Sequence, residues 1–337
     1  MGKIFSDAFS KIISDAKKMN NKTIAFPEGN DNRIIECIKQ ILKTKLCKVV
    51  VLGEENLILR KLGLPKSNEF IKVIDPVNSV LKSKLASELY LLRKHKGLTE
   101  ETARDIIKEP IYFAMMLLKT GEVDGVVAGA VYHTADVLRP AFQIIKCKPD
   151  VNIASSAFLM EVPDNAKFTK EKLMVFADCA VVTYPNADQL VDIALESAET
   201  AVKIAGINPR VAFLSYSTSC KSSDDQNIIK IKEAVKKLKL QKNNLVVEGE
   251  IQADAALDEI VRNRKNPDNS LKQNANVLIF PDINSGNISY KLVQKFAGVK
   301  AVGPIIQGLN KPVSDLSRSA TVEEIYLTTA VTLLQTV

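Results

Sequence analysis

Histidine is nearly absent from this chain: of 337 residues, only His95 and His133 carry an imidazole. That scarcity excludes a His-rich metal cluster, no H-E-x-x-H run is present, and no metal is expected. Cysteine is sparse as well. Cys37, Cys47, Cys147, Cys179 and Cys220 form an odd, scattered set without a C-x-x-C pair, which argues for reduced thiols over a disulfide framework or a zinc site. None of them lies in a nucleophile motif, and Cys179 sits in an apolar strand where a buried inert thiol is expected. No stretch approaches the ~20 consecutive apolar residues of a membrane-spanning helix. Residues 1–10 mix Lys, Asp and Ser with apolar side chains and lack a signal-peptide core. The expectation is a cytoplasmic protein with no membrane partner.

A dense basic stripe is missing too. The net charge of +7 suits the steering of small anionic substrates as well as nucleic acid. Nucleic-acid binders, though, interleave basic residues with exposed aromatics. Here the densest patch, Lys236, Lys237, Lys239 and Lys242, alternates with Leu238 and Leu240 and reads as the end of a solvated helix. No nucleic-acid partner is expected.

What is present is an alternation of strand and helix patterns along a chain long enough for two domains. Strands are predicted at 23–26, 47–52, 70–74, 123–130, 152–160, 172–182, 211–216, 245–251, 276–280 and 302–306. A helix over 32–43 puts Ile34, Ile35, Ile38, Ile41 and Leu42 on one stripe. A helical region over 80–119 breaks near Gly97 and Pro110, and a helix over 186–205 opens with the capping-box spacing Asn186/Gln189. The last helix runs from about 322 to 335. Alternation of this kind implies an α/β fold with largely parallel sheets covered by helices.

Ligands of open parallel sheets gather beyond the carboxyl ends of strands, and three such junctions stand out. They are Val126-Val-Ala-Gly-Ala-Val-Tyr-His-Thr-Ala-Asp-Val-Leu-Arg139, Phe280-Pro-Asp-Ile-Asn-Ser-Gly-Asn-Ile-Ser-Tyr-Lys291, and the segment from Gly303 to Arg318. Gly303 and Gly308 have P-loop spacing, but Leu309-Asn310 follow instead of Lys and Ser/Thr, so a P-loop is excluded. No G-x-G-x-x-G occurs, so a dinucleotide fold has no fingerprint. Taken alone, the Gly, Asn and Ser residues of these turns also fit simple turn geometry and capping.

The three junctions, with Phe176-Ala-Asp-Cys-Ala180, Val211-Ala-Phe-Leu-Ser-Tyr-Ser-Thr218, Glu248-Gly-Glu-Ile-Gln-Ala-Asp-Ala-Ala256 and above all Lys311-Pro-Val-Ser-Asp-Leu-Ser-Arg318, resemble the phosphate acetyltransferase (phosphotransacetylase) family. The resemblance covers nearly the whole chain and is strongest over 120–320. It implies two α/β/α domains with an active-site cleft between them, usually in a homodimer. The first would comprise 1–148 plus 295–337, and 149–294 would be inserted. The implied reaction is reversible acetyl transfer between acetyl-CoA and inorganic phosphate through a ternary complex, with coenzyme A as substrate and no bound cofactor. The alternatives are a phosphate butyryltransferase-like enzyme with a wider acyl pocket, or a non-catalytic acyl-CoA-sensing homologue.

The resemblance assigns Ser317 a hydrogen bond at the reacting carbonyl or thiol and Arg318 contact with the phosphoryl group, and guanidinium matches phosphate oxygens bidentately. Glu324 falls at the catalytic-base position, where the family usually has Asp, but Thr321-Val-Glu-Glu324 is also a capping-box pattern. An ordinary carboxylate taking a proton from an ordinary thiol faces roughly 6 kcal/mol uphill. Arg93 and Arg139 align with arginines linked to CoA or phosphate binding, and Thr134, at the start of its helix, offers a hydroxyl to phosphate. Tyr290 and Lys295 complete the substrate-binding set, with Lys295 at a position where Arg is common. Tyr132-His133 stands where the family has His followed by Ser or Thr, Ser289 and Ser319 replace glycines, and Ser219-Cys-Lys-Ser-Ser223 differs from the usual Lys-Gly-Ser run. His133 is therefore given no catalytic role.

Overall fold

A computed structural model describes residues 6–242 and 244–337. The first five residues, part of the segment read above as lacking a signal-peptide core, lie outside the described residues. Eleven strands are present among the described residues. They are β1 (Thr23–Phe26), β2 (Lys48–Leu52), β3 (Ile71–Ile74), β4 (Gly125–Ala128), β5 (Ser155–Glu161), β6 (Leu173–Ala177), β7 (Arg210–Leu214), β8 (Val246–Ile251), β9 (Val277–Ile279), β10 (Ala301–Gln307) and β11 (Val313–Asp315). The chain divides into two units, Met1–Lys148 with Leu309–Val337, and Pro149–Gly308. The sequence reading returns the chain to the first domain at residue 295. The second unit instead continues to Gly308, because 301–307 forms β10 and pairs antiparallel with β5.

In the first unit the strand order is β3-β2-β1-β4-β11, all parallel. Its strands are continuous apolar runs, as expected where both sheet faces are covered. The helix Asn32–Thr44 buries Ile34, Ile35, Ile38 and Ile41 of the stripe expected from the sequence, while Leu42, expected with them, is only partly buried, and Asp31 caps the helix by accepting from the amides of Arg33 and Ile34. The helix Val322–Leu334 has every residue from Ile325 to Leu334 buried. It is locked at its ends by Thr44–Tyr326 (2.8 Å) and Ser314–Thr332 (2.7 Å) hydroxyl pairs.

In the second unit the order is β10-β5-β6-β9-β7-β8. The stretch β6-β9-β7-β8 is parallel, while β5 is antiparallel to both neighbours. A parallel β5–β6 pair would need a crossover of a dozen or more residues, usually helical. Residues 162–172 between them contain no helix and return as a polar loop. The capping box at Asn186 and Gln189 forms as the spacing predicts. Strand 172–182 stops at Ala177, because Asp178 turns the chain by gathering the amides that follow it. No helix among the described residues is long and apolar enough to cross a membrane.

Candidate active site

Reading the first unit's sheet in chain order, β1 leads outward to β2 and β3, and the chain then returns to the other side of β1 as β4 and β11. That reversal is the place where an open parallel sheet leaves a crevice at its carboxyl edge. Three loops leave β1, β4 and β11 there, side by side: residues 27–31, 129–133 and 316–321. They carry Glu28 and Asp31, the approach to Thr134 and Arg139, and the Ser317-Arg318 pair.

The loop after β4 is shaped by a carboxylate. Buried Glu28 accepts three successive amides, from Ala130 (2.9 Å), Val131 (2.6 Å) and Tyr132 (2.9 Å). These N–H groups form a nest of the kind that binds anions, but the protein fills it itself. Thr134 is committed as well: its hydroxyl hydrogen-bonds Asp315 at the end of β11. The sequence reading offered this helix start to phosphate. Through these contacts the preceding amides and Thr134 link the ends of β1, β4 and β11.

Asp315 is the unusual group here. It is 1% exposed, its Oδ1 has no hydrogen-bond partner among the described residues, and burial, with Glu28 adding to it, pushes its carboxyl up to about 6 despite the Thr134 hydroxyl. A carboxyl raised from 3.8 in the unfolded chain to about 6 in the fold holds its proton longer when folded. Stability is therefore full below pH 4 as far as this group is concerned, falls between pH 4 and 6, and carries a constant penalty of about 3 kcal/mol above that. Asp315→Asn, which keeps an acceptor for Thr134 and cannot ionise, is expected to raise stability at pH 7 and flatten this segment of the profile. Urea unfolding from pH 4 to 7.5 checks it; an unchanged slope would assign the pH dependence to other carboxylates.

Ser317 and Arg318 are both exposed. The Ser317 hydroxyl lies 2.8 Å from that of Ser319 and does not cap the final helix, whose cap is Thr321. Among the described residues the Arg318 guanidinium has no hydrogen-bond or ion-pair partner, so a surface ion pair does not account for it. Glu324, by contrast, has a structural partner: its Oε2 accepts the Thr321 amide at 2.8 Å, completing the capping box. The carboxylate is thereby held at the mouth of the Ser317–Thr321 loop.

Arg93 ends the helix Lys82–Arg93, and Arg139 lies in the helix Thr134–Pro140. Arg139 pairs only loosely with Asp136, at 3.8 Å and with 61% of its side chain exposed. Both arginines act on Tyr112 in the helix Pro110–Thr120: burial pushes its phenol up, while Arg139 and then Arg93 pull it down. The Asp136 carboxylate, which faces Arg139, opposes them and adds to the upward push. Tyr290 and Lys295 belong to the second unit, on the helix Ile283–Ala297. The Tyr290 ring stacks on Phe158 at 4.0 Å and packs against the core, whereas Lys295 is exposed. Cys179 is fully buried, and burial pushes its thiol well up, the state of an inert cysteine.

Glu28, Arg33, Tyr112 and Asp315 went unnoticed in the sequence. The turn Pro27-Glu28-Gly29-Asn30-Asp31 carried the same signal as the other junctions, a turn-residue cluster between strand and helix. Its two charged side chains were the added clue.

The family model described as Phosphate acetyl/butaryl transferase matches residues 8–333. The phosphate acetyltransferase of Clostridium acetobutylicum is 44% identical over 326 residues, 96% of this chain and 97% of that protein. The solved EutD phosphotransacetylase from Staphylococcus aureus has a TM-score of 0.87 at 37% identity, covering 98% of this chain and 100% of its own. A phosphotransacetylase from Streptococcus pyogenes has a TM-score of 0.89 at 36% identity, covering 98% and 99%.

Proposed function

This chain belongs to the phosphate acetyl/butaryl transferase family, and we propose that it transfers an acetyl group reversibly between acetyl-CoA and inorganic phosphate, giving acetyl phosphate and CoA. The observation that carries the reading is the guanidinium of Arg318, without a partner among the described residues, next in the chain to the exposed hydroxyl of Ser317, at the reversal of the parallel sheet.

A phosphate oxygen attacks the thioester carbonyl, negative charge develops on the carbonyl oxygen, and the C–S bond breaks to release CoA. Arg318 holds phosphate through two parallel N–H···O bonds and neutralises it. Ser317 donates its O–H to the carbonyl oxygen as charge builds there. Arg93 and Arg139, with Tyr112 between their fields, hold the phosphates of CoA. Glu324 exchanges the thiol proton through the oxygen that Thr321 leaves open. The family resemblance assigns Thr134, Tyr290 and Lys295 to the substrate-binding set. Both substrates are bound together, no acyl-enzyme forms, and no cofactor or metal takes part. The working form is a homodimer, as the family resemblance implies, and its setting is the cytoplasm.

The test is phosphate-dependent release of CoA from acetyl-, propionyl- and butyryl-CoA, with wild type and Glu324→Ala in parallel. Acetyl-CoA is expected to turn over fastest, and the variant to lose about 10²–10⁴-fold in kcat, the usual range for a general base. Preference for butyryl-CoA would transfer the assignment to a phosphate butyryltransferase. A folded protein that binds CoA without turning over any of the three would be an acyl-CoA sensor.

A further inference from the structure

We infer that Arg33 is the positioning residue of this site, tying the loop after β4 to the loop that bears Ser317 and Arg318. Its guanidinium has five N–H donors, and each has an acceptor. Nε and Nη2 meet the two oxygens of Asp31 at 3.1 and 2.8 Å, which fixes the plane of the fork. The remaining Nη2 hydrogen goes to the Ala130 carbonyl at 2.7 Å. Both Nη1 hydrogens go to the third loop, to Arg318 O at 2.7 Å and Ala320 O at 3.1 Å. With no donor left over, Arg33 does not serve as a phosphate ligand. It stands in contrast to Arg318, whose own guanidinium has no partner among the described residues while its carbonyl is held by Arg33.

Asp31 makes the clamp rigid. It is anchored as the cap of the helix Asn32–Thr44 through the amides of Arg33 and Ile34. Burial pushes its carboxyl up, but the hydrogen bonds and charge of Arg33 outweigh that and hold it below its ordinary value. The same pairing raises Arg33 above its own. The cation is thus braced from β1's loop, and Ala130 and Arg318 are gripped from opposite arms of one planar group. Those residues lie 97 and 285 positions away in the chain. Lysine, a point charge with a flexible stem, cannot span the same three carbonyls.

The inference rests on the acetyltransferase reading. Misplacing a reacting group by 1 Å costs about 10²-fold in rate. Arg33→Ala is accordingly expected to lose about 10²-fold in kcat and to raise KM for phosphate, whereas KM for CoA, held at Arg93 and Arg139, stays within about twofold. Arg33→Lys is expected to recover less than about a tenth of the wild-type rate. Added methylguanidinium should restore Arg33→Ala at least about tenfold by reoccupying the fork, and should leave Arg33→Lys unchanged. Arg33→Ala with kcat near wild type would overturn the inference. So would a rise in CoA KM at unchanged kcat, which would make Arg33 a CoA ligand. Loss of the fold in Arg33→Ala shifts the comparison to Arg33→Lys, and loss of the fold in both would make Arg33 a purely structural residue. A wild type without phosphate-dependent turnover would remove the acetyltransferase reading itself, and the inference with it.

Discussion

Arg318→Ala is expected to lower kcat about 10³-fold in a protein that folds as well as wild type. The size follows from what the guanidinium does when phosphate and thioester meet. Removing one preorganised donor from a developing oxyanion costs about 10²–10³-fold, and removing a charged arginine from a phosphoryl group costs about 10³-fold or more. Retained stability follows from its surroundings: the side chain is exposed, has no partner among the described residues, and covers no core. Only its backbone carbonyl is engaged, by Arg33, and the alanine variant keeps that carbonyl. Steady-state kinetics in both directions, with CoA affinity measured separately, check it. A loss confined to phosphate and acetyl phosphate, with CoA binding intact, places Arg318 on the phosphoryl group. A kcat within tenfold of wild type would move that contact elsewhere.

Gly129→Ala is expected to cost about 4 kcal/mol of stability and most of the activity. The residue adopts φ +104, outside the range an L side chain readily takes, and an added Cβ would stand 2.6 Å from Leu316 N and 2.7 Å from Leu316 O, with Asp315 Oδ1 nearer still. These are mostly backbone atoms, which cannot swing aside as a side-chain tip does. Leu316 N also donates to Ala128 O at 2.6 Å, so separating the strands to admit a methyl group breaks the pairing that sets Ser317 and Arg318 beside the β4 loop. Gly121 provides the control. It too has positive φ (+84), but nothing lies within 4 Å of its Cβ direction, so Gly121→Ala shows the conformational cost alone, about 1–2 kcal/mol. Urea unfolding of both variants measures the difference. Equal costs would mean that the β11 end moves freely, and the close approach at Gly129 would then have no role in placing the pair.

The parts of this protein legible in the sequence are those encoded within a few residues. The stripe of Ile34, Ile35, Ile38 and Ile41, the Asn186/Gln189 and Thr321/Glu324 boxes, and the breaks at Gly97 and Pro110 are local signals of helix period, capping and turn chemistry, and each is found where it was expected. The α/β class follows from their alternation. The Ser317-Arg318 pair and Arg139 were singled out by long motif matches, and Arg93 by its basic cluster and its alignment with family arginines.

Tertiary structure alone decided the rest, because each remaining feature is a contact between distant segments. β11, only Val313–Asp315, has no periodicity to announce it and exists because β4 offers a parallel edge. Asp315 reads as a turn aspartate until that pairing buries it. Glu28 looks like a surface carboxylate until residues 130–132 fold their amides around it, more than a hundred positions away. Arg33 falls in the first turn of a helix with nothing to mark it, yet it holds carbonyls at 130, 318 and 320. Local propensity selects the elements and their ends, but the geometry of this site depends on hydrogen bonds whose partners become neighbours only once the sheet has assembled.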